Sequence, residues 1–363
     1  MTDTPPLSAL ALLLKDKIRM QGSVSIAEYM ELALSHPEYG YYMTRDPFGT
    51  RGDFITSPEI SQIFGELIGA WAADIWHKTG GGAFALVECG PGRGTLMADL
   101  LRATRLVAGF HDHMNIHMIE TSPTLAHTQY IRLRNDHPRI EWLDSIAELP
   151  ENMPIILIAN EFFDALPIKQ HVHTKDGLCE RRISFNEDTQ QFTFTLSPPA
   201  LALAKSATSI AQGTIVETSP VSRDLMRQIA ARIHTQGGAA LIIDYGYLGD
   251  NHRETLQAVK HHLYHPILSD IGSADITAHV DFTTLMDVAR GERVFTHGLI
   301  SQGQFLAGLG IELRLNTLLK RATPEQREEL ISSVTRLISP QAMGDLFKVM
   351  ALTARSDITP AGF

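Results

Sequence analysis

The richest chemistry in this chain is concentrated in Leu86-Val87-Glu88-Cys89-Gly90-Pro91-Gly92-Arg93-Gly94-Thr95. A carboxylate is followed by three alternate glycines, with apolar residues before and a helical pattern after. A glycine turn between a buried strand and a helix lets a ligand approach the backbone closely, because no Cβ stands in the way. The spacing discriminates among ligands. A dinucleotide fingerprint would need Gly or Ala where Thr95 stands. A P-loop would need a lysine between Gly94 and Thr95, and there is none.

What remains, acid-x-Gly-x-Gly-x-Gly, is the pattern that binds S-adenosyl-L-methionine, a nucleoside without phosphate. Its ammonium group favours a carboxylate such as Glu88. Glu120 ends the next strand, where a carboxylate can accept both ribose hydroxyls; an acid stabilising the following helix dipole is the alternative. Asp144 and Ser145 end the third strand, near where an adenine edge would lie, although Asp144 could equally cap a helix beginning near Ile146. The fourth strand runs into Asn160-Glu161-Phe162-Phe163-Asp164. Ligands in open sheets sit beyond the carboxyl ends of the strands, so these polar groups face the crevice. Two carboxylates beside aromatic rings suit a cationic substrate such as a guanidinium; capping a helix is the competing role. The Asn/Asp-Pro-Pro-aromatic signature of base-amine methylation is absent. On the fifth strand Asp244 and Tyr245 share the same edge, and Tyr247 could wall a channel or simply shape a turn.

The elements that must position these groups follow from apolar patterning. Residues 1–80 read as a helical region, with helices over Ile26–Leu34 and Ile60–Trp76. Ser57-Pro58-Glu59 starts the latter with a cap, a helix-opening proline and an early acid. Residues 81–363 read as the main domain, in which short apolar strands alternate with helices: Phe84–Cys89, Asn115–Glu120, Ile140–Leu143, Pro154–Asn160 and Ala239–Asp244. That alternation means a parallel sheet covered on both faces. Residues 168–215 interrupt it with an antiparallel insertion carrying a hairpin. Arg293–Leu299 and Leu346–Leu352 supply two closing strands, so the expectation is an α/β, Rossmann-like sheet of seven strands.

Composition bounds the rest. The 363 residues are 44% hydrophobic and 20% charged, a globular balance. Lys and Arg number 31 against 41 Asp and Glu, a net charge of −10. Such a chain is a poor phosphate-backbone binder, so no nucleic-acid partner is expected. Two cysteines make neither a disulfide framework nor a zinc site. No apolar run reaches the ~20 residues that span a bilayer, so no membrane insertion is expected. Leu7–Leu14 follows an acidic residue rather than basic ones and reads as an amphipathic helix, not a leader. A cytoplasmic protein is expected. Histidine groups His111/His113, His171/His173 and His261/His262/His265 lack a companion motif such as His-Glu-x-x-His, and no metal is expected.

Several longer blocks resemble the MidA-like S-adenosyl-L-methionine-dependent methyltransferases. They are Gly40-Tyr-Tyr, Phe48-Gly-Thr-Arg-Gly-Asp-Phe-Ile-Thr-Ser-Pro-Glu-Ile-Ser, Phe64-Gly-Glu-Leu and Glu88-Cys-Gly-Pro-Gly-Arg-Gly-Thr-Leu-Met. Ala159-Asn-Glu-Phe-Phe-Asp-Ala-Leu-Pro, Ile243-Asp-Tyr-Gly, Asp275-Ile-Thr-Ala-His-Val-Asp-Phe, Gln302-Gly-Gln-Phe-Leu and Met343-Gly-Asp-Leu-Phe-Lys-Val complete the set. The match runs from about residue 8 to 353; the one departure is Cys89, where another apolar residue is expected. The resemblance implies a class I methyltransferase fold with an N-terminal helical lid. It implies protein arginine methylation, to the symmetric dimethyl form, of a complex I quinone-module subunit during assembly. It places Glu88, Gly90, Gly92, Gly94 and Glu120 around the methyl donor, with Thr56 and Ser57 closing over it. Glu161 and Asp164, beside Asn160, would orient the substrate guanidinium. Competing activities are a noncatalytic assembly factor, a methyltransferase for RNA or a small molecule, and a metal hydrolase.

Overall fold

The computed structural model describes residues 7–44, 55–199, 211–249 and 253–363. The stretch Phe48–Phe54 of the resembling block lies outside them. Seven strands make the main path of the central sheet: β1 (Phe84–Cys89), β2 (Met114–Ile119), β3 (Ile140–Leu143), β4 (Ile155–Asn160), β5 (Gly238–Tyr247), β6 (Phe295–Ser301) and β7 (Phe347–Thr353), and the two-residue strand Val280–Asp281 adds an eighth, parallel to the end of β5. Their spatial order is 3-2-1-4-5-7-6. Neighbours from β3 to β5 are parallel, whereas β7 runs antiparallel to both β5 and β6. The seven expected strands are therefore present, with one short strand more. The order reverses direction between β1 and β4, and the crevice at such a switch point is where an open sheet binds its ligand.

The strands read as unbroken apolar runs because both faces are covered. On β1, Phe84 and Leu86 point to one face and Ala85, Val87 and Cys89 to the other. The first face packs against α3 (Gln62–Lys78) and α4 (Thr95–Thr104), with Trp71 fully buried. The second packs against α6 (Pro220–Gln236) and α7 (Phe282–Gly291). Cys89 fills an ordinary apolar position there, so its departure from the family pattern costs nothing structurally. The helix expected over Ile60–Trp76 is two pieces, a single turn Ser57–Ile60 and then α3. Ser61 breaks it: its backbone is extended, and its hydroxyl accepts from the Ile63 amide at 3.3 Å as a new cap.

The insertion is an antiparallel sheet, as expected. Lys169–Thr174 pairs with Gly177–Asn186 and with Ile215–Thr218, while Gln191–Leu196 flanks the long strand. Its edge is completed by Val24–Ser25 from the N-terminal region. Packing thus redraws the division expected at residue 80. Helix α3 belongs to the main core, whereas α1 (Ala9–Gln21) and α2 (Ile26–Ser35) share a separate core with the insertion and with Leu256, Ala258 and Ile276. Leu10, Leu14 and Ile18 are buried on one face of α1, which is amphipathic as its apolar run predicts. The lid and the insertion form one cap.

Candidate active site

Beyond the carboxyl ends of β1, β2 and β4 lies a cavity of about 290 Å³, walled on its far side by Leu34, Ser35, Tyr42 and Met43 of the cap. Its floor is the glycine loop. Gly90, Gly92 and Gly94 all have positive φ (62°, 55° and 74°), conformations that glycine adopts without a Cβ penalty. At Gly90 the reason is doubled, since a Cβ would stand 2.7 Å from Phe162 Cδ2. Gly90 and Gly92 line the cavity; Gly94 lies behind it as the N-cap of α4.

Glu88, next to last in β1, is almost completely buried, and its Oε2 makes no hydrogen bond among the described residues. Burial pushes its carboxyl up to about 8. A buried acid without a partner, facing a cavity, is the mark of a site built for a cationic group. Glu120 is held rigidly: one oxygen accepts from the Ser122 amide at 2.8 Å, the other from Gln129 Nε2 at 3.0 Å. Gln129, on α5 (Pro123–Leu133), also donates to the Gly92 carbonyl at 2.8 Å and accepts from Trp142 Nε1 at 2.8 Å. This one amide braces the glycine loop, the ribose-side acid and β3 together. Asp144 lines the cavity, while Ser145 does not; it caps the turn Ile146–Glu148 by accepting from the Ala147 amide at 3.2 Å. The capping role weighed for Asp144 therefore falls to its neighbour.

After β4 the structure separates residues that the sequence groups together. No helix begins there, so neither Glu161 nor Asp164 is a helix cap. Glu161 sits in the left-handed region (φ 50°) and faces the cavity. Its Oε1 accepts from the Ser57 amide at 2.8 Å and from Asn160 Nδ2 at 3.1 Å. Burial, with the nearby charge of Asp164 adding to it, pushes Glu161 up to about 7 against the pull of the Ser57 amide. Asn160 lines the cavity, its Oδ1 buried without a partner. Asp164 does not line it. The turn after Glu161 carries this side chain inward beside Tyr245, where burial raises it to about 6. The fork of two carboxylates expected on the substrate is thus not assembled; Glu161 faces the cavity with Asn160 instead. Thr56 lines the cavity, but Ser57 is fully buried and serves as the amide under Glu161. Tyr247 lies at a different, small cleft.

Several groups were not singled out from sequence. Gln129 is an ordinary helical glutamine until β3 is brought beside it. Tyr42 belongs to a quoted block and Met43 follows it, but their place over the cavity depends on the cap; Tyr42 donates to Asp275 at 2.8 Å and its carbonyl accepts from Ser122 at 2.8 Å. No three His, Cys, Asp or Glu side chains converge to hold a metal among the described residues, and none of the described helices is long and apolar enough to cross a membrane.

The sheet order, the antiparallel β7 and an acid-led glycine loop opening on the crevice at the switch point define a class I S-adenosyl-L-methionine-dependent methyltransferase. A family model for such methyltransferases matches residues 67–300. Similar proteins include the mitochondrial protein arginine methyltransferase NDUFAF7 of Danio rerio, 38% identical over 94% of this chain and 86% of the relative. Its Homo sapiens counterpart is 35% identical over 96% and 84%. A methyltransferase candidate from Burkholderia thailandensis, solved with bound S-adenosyl-homocysteine, superimposes with a TM-score of 0.85 at 28% identity, covering 99% of this chain and 97% of that one. The chain belongs to this methyltransferase family, and S-adenosyl-L-methionine is its methyl donor. The animal relatives carry a mitochondrial designation in their names.

The residues present fit the donor. Glu88, with its unmet acceptor, would take the ammonium group, Glu120 the ribose hydroxyls and Asp144 the adenine amine, over the backbone of Gly90 and Gly92. Bound there, the donor supplies an electrophilic methyl group on a sulfonium.

Proposed function

We propose that this methyltransferase modifies arginine side chains of a protein substrate, a quinone-module subunit of a complex I type enzyme, to the symmetric dimethyl form. The observation that carries the reading is Glu161: a carboxylate fixed by a backbone amide and by Asn160, in the wall of the donor cavity beside the Phe162 ring. The names of the curated relatives, as protein arginine methyltransferases, agree with it.

Methyl transfer is an in-line displacement that depends on alignment. A nitrogen lone pair bonds to the methyl carbon, the carbon–sulfur pair returns to sulfur, and the nitrogen sheds one proton. A guanidinium holds its lone pairs in resonance and is protonated at any ordinary pH, so the nitrogen must be oriented while its charge is stabilised. Glu161 does both by accepting its N–H groups, and Phe162 offers a face on which the planar ion can stack. Asn160 Oδ1, buried and unpartnered, supplies a second acceptor. Asp164 acts from behind, through its charge on Glu161.

Mass spectrometry of arginines in the quinone-module subunits, from cells with and without this protein, tests the proposal. Loss of one dimethylarginine on deletion is the expected result. An unchanged subunit, with labelled methyl groups found in RNA or a small molecule instead, would refute it.

A further inference from the structure

We propose that Asp244 is a positioning residue for methyl transfer, acting through Glu161 by anchoring the main chain that follows it. The inference rests on Glu161 being the group that faces the substrate.

Asp244 is wholly buried on β5, one residue past the point where Ile243 stands opposite Asn160. The Glu161 amide donates to the Ile243 carbonyl at 2.9 Å. The next three amides all converge on one oxygen, Asp244 Oδ2: Phe162 at 3.2 Å, Phe163 at 3.0 Å and Asp164 at 3.2 Å. The other oxygen accepts from the Tyr245 amide at 2.9 Å. Four successive N–H groups, none in a helix or strand, therefore end on two adjacent acceptors of β5. Converging amides form a concavity of positive potential, and here a carboxyl of the chain itself occupies it, raised well above its ordinary range by burial and by the charges of Asp164 and Glu161, with the amides pulling the other way.

This anchor explains how an unfavourable backbone persists. Glu161 is a non-glycine residue at φ 50°, a conformation that survives only where its surroundings over-determine it. With residues 162–164 tied to Asp244, the turn cannot relax, and two outcomes follow. The Glu161 carboxylate stays on the Ser57 amide and faces the cavity. The Phe162 ring stays against Gly90, where only a glycine fits. Asp244 itself does not line the donor cavity, so its influence on the reaction is indirect.

Coupling between Asp244→Asn and Glu161→Gln tests this on the full chain. The asparagine keeps the size but must turn an NH₂ group toward backbone donors on one side. Misplacing a reacting group by ~1 Å costs about 100-fold in rate, so D244N should lower kcat by one to two powers of ten while S-adenosyl-homocysteine affinity stays within about threefold. In an E161Q background the same substitution should cost less than about threefold, because residues acting as one unit are not additive. Additive losses, or an unchanged kcat in D244N, would overturn the proposal. Amide exchange supplies a readout independent of turnover: in the unsubstituted protein the amides of 161–164 should exchange as slowly as those of Ile242 and Ile243. Rapid exchange there would overturn the anchor even if D244N fails to fold. The methylated product is identified separately, so a product other than methylarginine removes the arginine reading while coupling still decides the role of Asp244.

Discussion

Replacing Glu88 with glutamine isolates the buried acid that the donor's ammonium group should meet. The free carboxyl titrates near 8, raised by burial, with one oxygen unpartnered. Binding an ammonium requires the ionised form, so at pH 7 about 1.4 kcal/mol goes into removing the proton. The sign follows: donor affinity should rise about tenfold per pH unit from 6 toward 8. It should turn over near pH 8, where an α-amino group itself begins to lose its proton. Near one proton should be released per donor bound at pH 7. A hydrogen bond to a charged group contributes roughly 1.5–3 kcal/mol, so E88Q should weaken binding at pH 8 by about 10- to 150-fold and flatten the pH profile. Calorimetry with S-adenosyl-homocysteine, in buffers of different ionisation enthalpy, measures both the affinity and the proton count. A variant that binds within about threefold of the parent, or a parent whose affinity is flat between pH 6 and 8, would refute the assignment of Glu88.

E161Q should leave donor affinity nearly intact and cut kcat; in the parent, the rate should climb as pH rises through about 7, where Glu161 ionises, and steady-state profiles of the two proteins check this. Gly90→Ala forces a side chain into φ 62° and against Phe162. At a backbone cost of about 1–2 kcal/mol, it should lower the melting temperature by a few degrees and weaken donor binding, read by calorimetry and thermal melts. Glu217→Ala should act on stability instead. This buried carboxylate accepts from Gln170 Nε2 at 2.8 Å, the Thr255 amide at 3.0 Å and the Leu256 amide at 3.2 Å. Leaving those donors unpaired should cost about 3 kcal/mol or more, seen as earlier denaturant unfolding of the cap.

Local features were legible without coordinates because their causes are local. A glycine turn announces itself through residues that alone tolerate positive φ, as at Gly90, Gly92 and Gly94. A parallel sheet announces itself through apolar runs such as Ile155–Ala159, which need cover on both faces. Ser122-Pro123 marks a helix start because a hydroxyl there meets an otherwise unpaired amide. Ser61 was missed as a break for the converse reason: its cap competes with an apolar pattern that continues straight through it.

From residues alone came the class of chemistry: an acid-led glycine loop, a second acid one strand over, and the strand–helix alternation of a parallel sheet to carry both. Tertiary structure alone decided which polar groups reach that crevice. Glu161 and Asp164 stand three positions apart in sequence, yet the left-handed turn between them sends one to the cavity and the other into the core. Gln129, Tyr42 and Asp244 acquire their roles from partners far along the chain, and no local pattern encodes a distance between two strands. The same holds for the cap, where helices from the N-terminus and strands from the insertion bury apolar faces that neither could cover by itself.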